Sequence, residues 1–340
     1  MILLILGIAI GLGWLLWEWK ERFQWDLFLN TFRGLDLRWI VGAALFALAT
    51  YLGRALRWRI LIRPQKARPS LWNLFTATSI GFTAIVLFGR PGEMVRPYLI
   101  ALKERLSFSS QMAAWLLERI YDLMMALFIF GFALSHVRGT GVKVGEGLQW
   151  VLQMGGYAAG FVALVCVIVF VALRQFGEKS ESRILDGAAF LPDKYHGWLV
   201  KVVRAFRQGV ESTKDWAAVV KVFGYSVLEW ILIVACYICV FQASPETAGL
   251  QPLEVLIFVG FVSFGAVIQI PGIGGGMQVV AVVILTELFG MPLEVSTGIA
   301  VVLWAITFVV IVPIGLLLAF HDGLNWSKLR HLEEENPRPL

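Results

Sequence analysis

Charge, histidine and cysteine are all scarce in this chain, and each shortage removes a class of protein. Asp, Glu, Lys and Arg make up only 16% of the 340 residues, well short of the quarter or so usual in soluble domains. The three cysteines, Cys166, Cys236 and Cys239, lie inside apolar runs and give no disulfide framework. Cys236 and Cys239 form a C-x-x-C, but inside a membrane helix it reads as a packing pair rather than a redox or metal site. The four histidines are scattered, so no metal is expected, and no cofactor. The net charge of +5 comes without a long basic stretch interleaved with aromatics, and nucleic acid is not an expected partner.

Apolar sequence is what the chain has in excess. It is 58% hydrophobic with a mean hydropathy of +0.74, and its apolar runs approach the ~20 residues needed to cross a bilayer. Six stretches read as spans: about 2–17, 39–60, 112–137, 148–173, 222–242 and 295–320. The first has no basic residue before it, unlike a cleaved signal peptide, and is expected to be a retained helix. Many of the 14 tryptophans, Trp14, Trp17, Trp39, Trp150 and Trp326 among them, stand near run ends, as interfacial belts require.

Cations orient the spans. Segment 54–68 holds Arg54, Arg57, Arg59, Arg63, Lys66 and Arg68, and 174–221 is equally basic, whereas 243–251 has no Lys or Arg. The positive-inside rule places the basic segments and both termini in the cytoplasm. Segments 69–111 and 252–294 must then each begin and end on one side. Each holds one apolar run, a helix-breaking turn and a return too short to span, which predicts two re-entrant hairpins entering from opposite faces. The expected fold is an all-α polytopic membrane protein of about six full spans plus these hairpins, with inverted-repeat pseudo-symmetry. Residues 1–321 form one transmembrane domain and 322–340 a short cytoplasmic tail. Within it, 175–221 is amphipathic, lying either on the inner membrane surface or on the ends of the bundle.

The turn of the first hairpin is Gly89-Arg-Pro-Gly-Glu-Met-Val-Arg-Pro-Tyr98. Pro91 and Gly92 stop one helix and leave unpaired N–H groups at the start of the next, a setting that favours phosphate. Arg90 and Arg96 flank it, and guanidinium forks onto phosphate oxygens. Glu93 can pair with an arginine, meet a cationic headgroup or carry a proton. The alternative is that the three charges only neutralise one another at a turn. Glu118, Arg119 and Asp122 follow in the next span, with Glu118 and Asp122 on one face. They either add to a headgroup site or brace the hairpin. The second turn, Pro271-Gly-Ile-Gly-Gly-Gly276, offers Gly272, Gly274 and Gly275 for close backbone approach, with Gln278 after them. It is no nucleotide loop, since no Gly-Lys-Ser/Thr follows.

The Gly89–Tyr98 turn, followed by Leu117-Glu-Arg-Ile-Tyr-Asp-Leu123, resembles the paired signature of the lysylphosphatidylglycerol synthase transmembrane, or flippase-like domain, family. The Pro271–Gly276 break and the last long span are similar to its C-terminal motif, and the resemblance covers nearly the whole chain. Gly92, Glu93, Arg96, Glu118, Arg119 and Asp122 match the family pattern. The resemblance implies a multi-pass protein of a prokaryotic plasma membrane that binds or flips a polar lipid, of phospholipid or isoprenoid-phosphate type. Relatives commonly place a Glu after the glycines; here Met277-Gln278 stands instead, which weakens a cationic lysyl-lipid as substrate. The residues after His321 are too few for the soluble aminoacyl-transfer domain of the full-length synthases, so no lysyl transfer by this chain alone is expected. The reading is a non-enzymatic lipid translocase. Alternatives are a headgroup transferase, or a non-transporting partner of lipid-modifying or envelope-glycan enzymes; a homo-oligomer is compatible with either.

Overall fold

The computed structural model describes residues 23–139, 146–188, 192–265, 269–270 and 274–323. The expected first span at 2–17, the centre of the second turn with Gly272, and the tail lie outside the described residues.

The chain folds as helices joined by short connections, apart from one antiparallel pairing of Gln269–Ile270 with Gly274–Gly275. In order these are α1 (Trp25–Arg33), α2 (Leu37–Leu61), α3 (Leu71–Phe88), α4 (Val95–Glu104), α5 (Phe108–Gly139) and α6 (Glu146–Gln175). Then come α7 (Glu178–Gly187), α8 (Asp193–Val210), α9 (Trp216–Ala243), α10 (Pro252–Gly265), α11 (Gly276–Glu287), α12 (Leu293–Trp304) and α13 (Ile311–His321). A π-helical turn at Ala305–Val309 joins the last two. Four helical segments among the described residues are long and apolar enough to cross a membrane: Leu37–Leu61, Leu71–Phe88, Trp216–Ala243 and Leu293–His321. Large apolar side chains such as Leu45, Phe128, Ile231 and Leu317 face outward, where lipid rather than water is their natural solvent. The chain is an all-α polytopic membrane protein.

Local chemistry explains the helix ends that shape the first hairpin. Ser70 caps α3 by accepting from the Asn73 N–H at 3.3 Å. Gly89, at φ 71° and ψ −145°, turns the chain in a conformation that favours glycine. Residues Arg90–Met94 form a 3-10 turn with Pro91 near its start, and α4 returns. Small residues let the arms touch. A Cβ at Gly92 would lie 2.4 Å from the Ala84 carbonyl, and one at Gly81 would lie 2.5 Å from Arg96 Cβ. At the open end Glu104 is buried, accepting from Asn73 Nδ2 at 2.8 Å and pairing with Lys66 at 2.7 Å. The ten residues of α4 reach about 15 Å at 1.5 Å each, half the hydrocarbon thickness.

The second hairpin pairs α10 with α11, whose 12 residues reach about 18 Å. Its turn holds Gly275 at φ 146°, and the Gly275 N–H donates to Gln278 Oε1 at 2.7 Å, closing the start of α11.

Packing repeats itself between the halves. Helix α2 lies along α9; the first hairpin packs through α3 on α13, and the second through α10 on α5. Each hairpin thus leans through one arm on a helix outside it, the first on the 11-residue α13 and the second on the 32-residue α5. Both contacts use glycine: a Cβ at Gly315 would lie 2.0 Å from Thr83 Oγ1, and one at Gly260 would lie 3.1 Å from Ala133 Cβ. Two apolar cores result. One centres on α2–α5 and the other on α5 with α9–α12, and α2, α5 and α9 each place buried side chains in both.

The amphipathic segment sits on the bundle. Val203 and Val210 of α8 are buried, and a Cβ at Gly209 would lie 2.4 Å from the Ser110 carbonyl oxygen of α5. Tyr195 and Trp198, nearer the start of α8, remain exposed.

Candidate functional site

Arg57 is the hub of the site. It lies on α2 and is 0% exposed, so its charge needs partners on every side. Its Nη2 meets Glu118 Oε1 at 2.5 Å and its Nη1 meets Asp122 Oδ1 at 2.5 Å, both on α5. The same Nη1 donates to Ser226 Oγ at 3.0 Å and lies 3.2 Å from Glu229 Oε2, both on α9. One guanidinium therefore ties three helices together. Arg54, one turn earlier on the same face, pairs with Glu229 at 2.6 Å and stands 3.8 Å from Asp122.

The first hairpin plugs into this network from its return arm. Arg96 is buried and forks onto Glu118, with Nη1 donating to Oε1 at 3.1 Å and Nη2 to Oε2. Its guanidinium lies 4.3 Å from the Trp58 ring centre. Phe82, on the incoming arm, sits beneath both Arg96, at 5.3 Å, and Arg54, at 4.7 Å, spreading two like charges over one aromatic face. Arg119 pairs with Asp122 at 3.1 Å. At the tip Arg90 pairs with Glu93; Arg90 is half exposed while Glu93 is nearly buried.

Beside the network opens a cavity of about 400 Å³, within the ~300–1,000 Å³ usual for small-molecule sites. Its lining carries the charged residues Arg54, Arg90, Glu93, Arg96, Arg119, Asp122 and Glu229. Apolar residues share that lining, Leu123, Ala126, Ile233, Val259, Val262 and Phe308 among them. Both hairpins contribute, the second through Val259, Val262, Ser263 and Met277. Tyr51 also lines the cavity, and its hydroxyl donates to the Thr307 carbonyl in the π-helical turn at 3.0 Å.

The residues expected from the sequence separate into two groups. Arg90, Glu93, Arg96, Arg119 and Asp122 line the cavity, and Glu118 lies buried behind Arg96 and Arg57. Gly92 holds the hairpin arms together. Gly274, Gly275 and Gln278 build the second turn, and the cavity takes Met277 from that stretch instead. Of the two readings for Glu118, the brace is the visible one: it joins hairpin to helix.

Arg54, Arg57 and Glu229 are additions that the structure makes. Of the basic residues in 54–68, Arg59, Arg63 and Arg68 are exposed, whereas Arg54 and Arg57 turn inward on α2. Their sequence signal was the i,i+3 spacing inside an apolar span. Glu229 is a lone acid in a long apolar run, a placement that marks function or pairing.

A family model, the lysylphosphatidylglycerol synthase TM region, matches residues 2–315. The chain matches no curated protein and no solved structure significantly. Coverage runs from the first apolar run to the last helix and includes both hairpins and the charged network. The chain belongs to the lysylphosphatidylglycerol synthase TM region family.

Proposed function

We propose that this protein is a lipid translocase, not an enzyme, and that the cavity holds the polar headgroup of a membrane lipid. The observation that carries this reading is a cavity lined by four arginines together with apolar side chains, between two broken helical hairpins. Membership of a family named for a lipid supports it. Arginine fits phosphate, and the apolar side suits the glycerol and upper acyl region. Charges at membrane depth are costly and are kept where they face a cavity or each other; here they do both.

The short returns α4 and α11 fit re-entrant hairpins, the first entering from the cytoplasm and the second from outside. Their mirrored packing on α13 and α5 fits an inverted repeat, in which rocking one half against the other exposes the site to each leaflet in turn. The exposed Arg59, Arg63 and Arg68 after α2 support a cytoplasmic position for that end. We place the protein in the plasma membrane of a prokaryote, with both termini inside.

Reconstitution into vesicles tests the reading. Lipids carrying a fluorophore on a short acyl chain are added symmetrically, and a membrane-impermeant reductant quenches the outer leaflet. Wild-type protein is expected to carry quenching beyond the outer-leaflet half, and Arg119→Gln to slow it about tenfold or more, the size of one lost charged contact. Quenching that stops at the outer leaflet for every phospholipid headgroup, with or without an ion gradient, would overturn translocation.

A further inference from the structure

The network holds an odd charge. Among the described residues five arginines stand against four carboxylates, and each carboxylate has an arginine within 4 Å. The excess belongs to the cavity side. Arg57 is turned away among three acids, while four of the cavity's lining residues are arginines and three are acids. At ordinary ionisation the site is therefore left with one positive charge beside an apolar wall. At membrane depth such a charge is expensive unless an opposite one comes to it.

Resting on the lipid-site reading, we infer that the cavity selects a lipid whose headgroup carries one net negative charge, a phosphodiester without an amine. A zwitterionic headgroup leaves the excess in place. A cationic aminoacyl headgroup doubles it. A phosphomonoester, with about 1.5 to 2 negative charges near neutral pH, overshoots and makes the site negative. Only the phosphodiester monoanion brings the cavity to neutrality. The phosphate alone does not set this choice, since all four headgroups contain one; the count of acids around it does. Glu229 and Arg90 are then the residues that set specificity, because removing either changes the count by one without emptying the arginine cluster.

The test is competition. Purified protein is equilibrated in mixed micelles with equal amounts of phosphatidylglycerol, phosphatidylethanolamine, phosphatidic acid and lysylphosphatidylglycerol of identical acyl chains, and native mass spectrometry reads the retained lipid. A parallel arm adds soluble glycerophosphoglycerol as competitor. Wild type is expected to retain phosphatidylglycerol about tenfold over each rival, well within what one unit charge supplies at contact distance and an effective dielectric constant near 20. Glu229→Gln, with a second positive charge, shifts retention toward phosphatidic acid; Arg90→Gln, with none, shifts it toward phosphatidylethanolamine. Arg90 is half exposed at the rim, so R90Q keeps the test informative should E229Q fail to fold. Wild-type preference for the zwitterion, the phosphomonoester or the cationic lipid overturns the charge rule and leaves the lipid site standing. Retention of all four in their bulk proportions overturns the lipid site itself. Displacement by the soluble diester at equal concentration overturns the lipid as the source of the phosphodiester.

Discussion

Arg57 of α2 and Glu118 of α5 meet at 2.5 Å with both side chains buried. Glu118 also receives Arg96 from the first hairpin, so one carboxylate fixes hairpin, α2 and α5 at a single point. Removing Arg57 takes one of their arginine partners from Glu118, Asp122 and Glu229 at once. Arg57→Met, which keeps most of the volume, is expected to cost about 3–5 kcal/mol, as breaking a buried ion pair does. Unfolding midpoints in a denaturing-detergent titration check this; a shift smaller than about 1 kcal/mol would mean the acids are satisfied without it.

The hairpin depends on glycine where its arms touch. Gly92→Ala places a methyl group 2.4 Å from the Ala84 carbonyl, and the arms must part. We expect a loss of about 1–3 kcal/mol from overpacking. Gly131→Ala on α5 is the control, since nothing lies within 4 Å of its Cβ; it should be neutral or gain up to about 1 kcal/mol from helix propensity. Equal midpoints for the two variants would contradict the packing account.

Arg90 separates stability from function. It is half exposed at the rim, and Arg90→Gln should leave the unfolding midpoint within about 0.5 kcal/mol of wild type while slowing movement of phosphatidylglycerol in the vesicle assay. A variant that transports normally would show that the tip charge has no part in the site.

Orientation follows from single cysteines in a background with Cys166, Cys236 and Cys239 replaced by alanine. Arg68→Cys is expected to react with an impermeant maleimide only in inverted membrane vesicles. Gly249→Cys, where a Cβ meets nothing within 4 Å, should react in intact cells. The reverse pattern would invert the topology and exchange the faces from which the hairpins enter.

Much of the first hairpin was legible because helix breaking is local chemistry. Pro91 and Gly92 stop a helix wherever it lies, and ten residues cannot span a bilayer. Glu118 and Asp122 were legible as an i,i+4 pair. Arg57 was not, because a cation near the end of an apolar run has the same pattern whether it flanks the membrane or turns into the bundle. Only the packing of α2 against both α5 and α9 decides between these. Glu229 was not singled out in the sequence, because its partners, Arg54 and Arg57, lie on another helix and leave no local trace. The glycines of the second turn pointed to close approach, and at Gly275 they serve the turn itself; which neighbouring side chain reaches the cavity, Met277, is again a tertiary fact.

The central claim is that a lipid headgroup occupies the cavity beside Arg96 and Arg119. A phospholipid with a photoreactive diazirine on its headgroup, reconstituted with the full chain, reads that position directly. The account expects crosslinks in the cavity wall, at Leu123 and Ala126 on α5 and at Glu229, Trp230 and Ile233 on α9, reduced when unlabelled lipid competes. Crosslinks confined to the outward-facing belt, at Leu45, Phe128 or Leu317, would contradict it and leave the charged network as a structural brace.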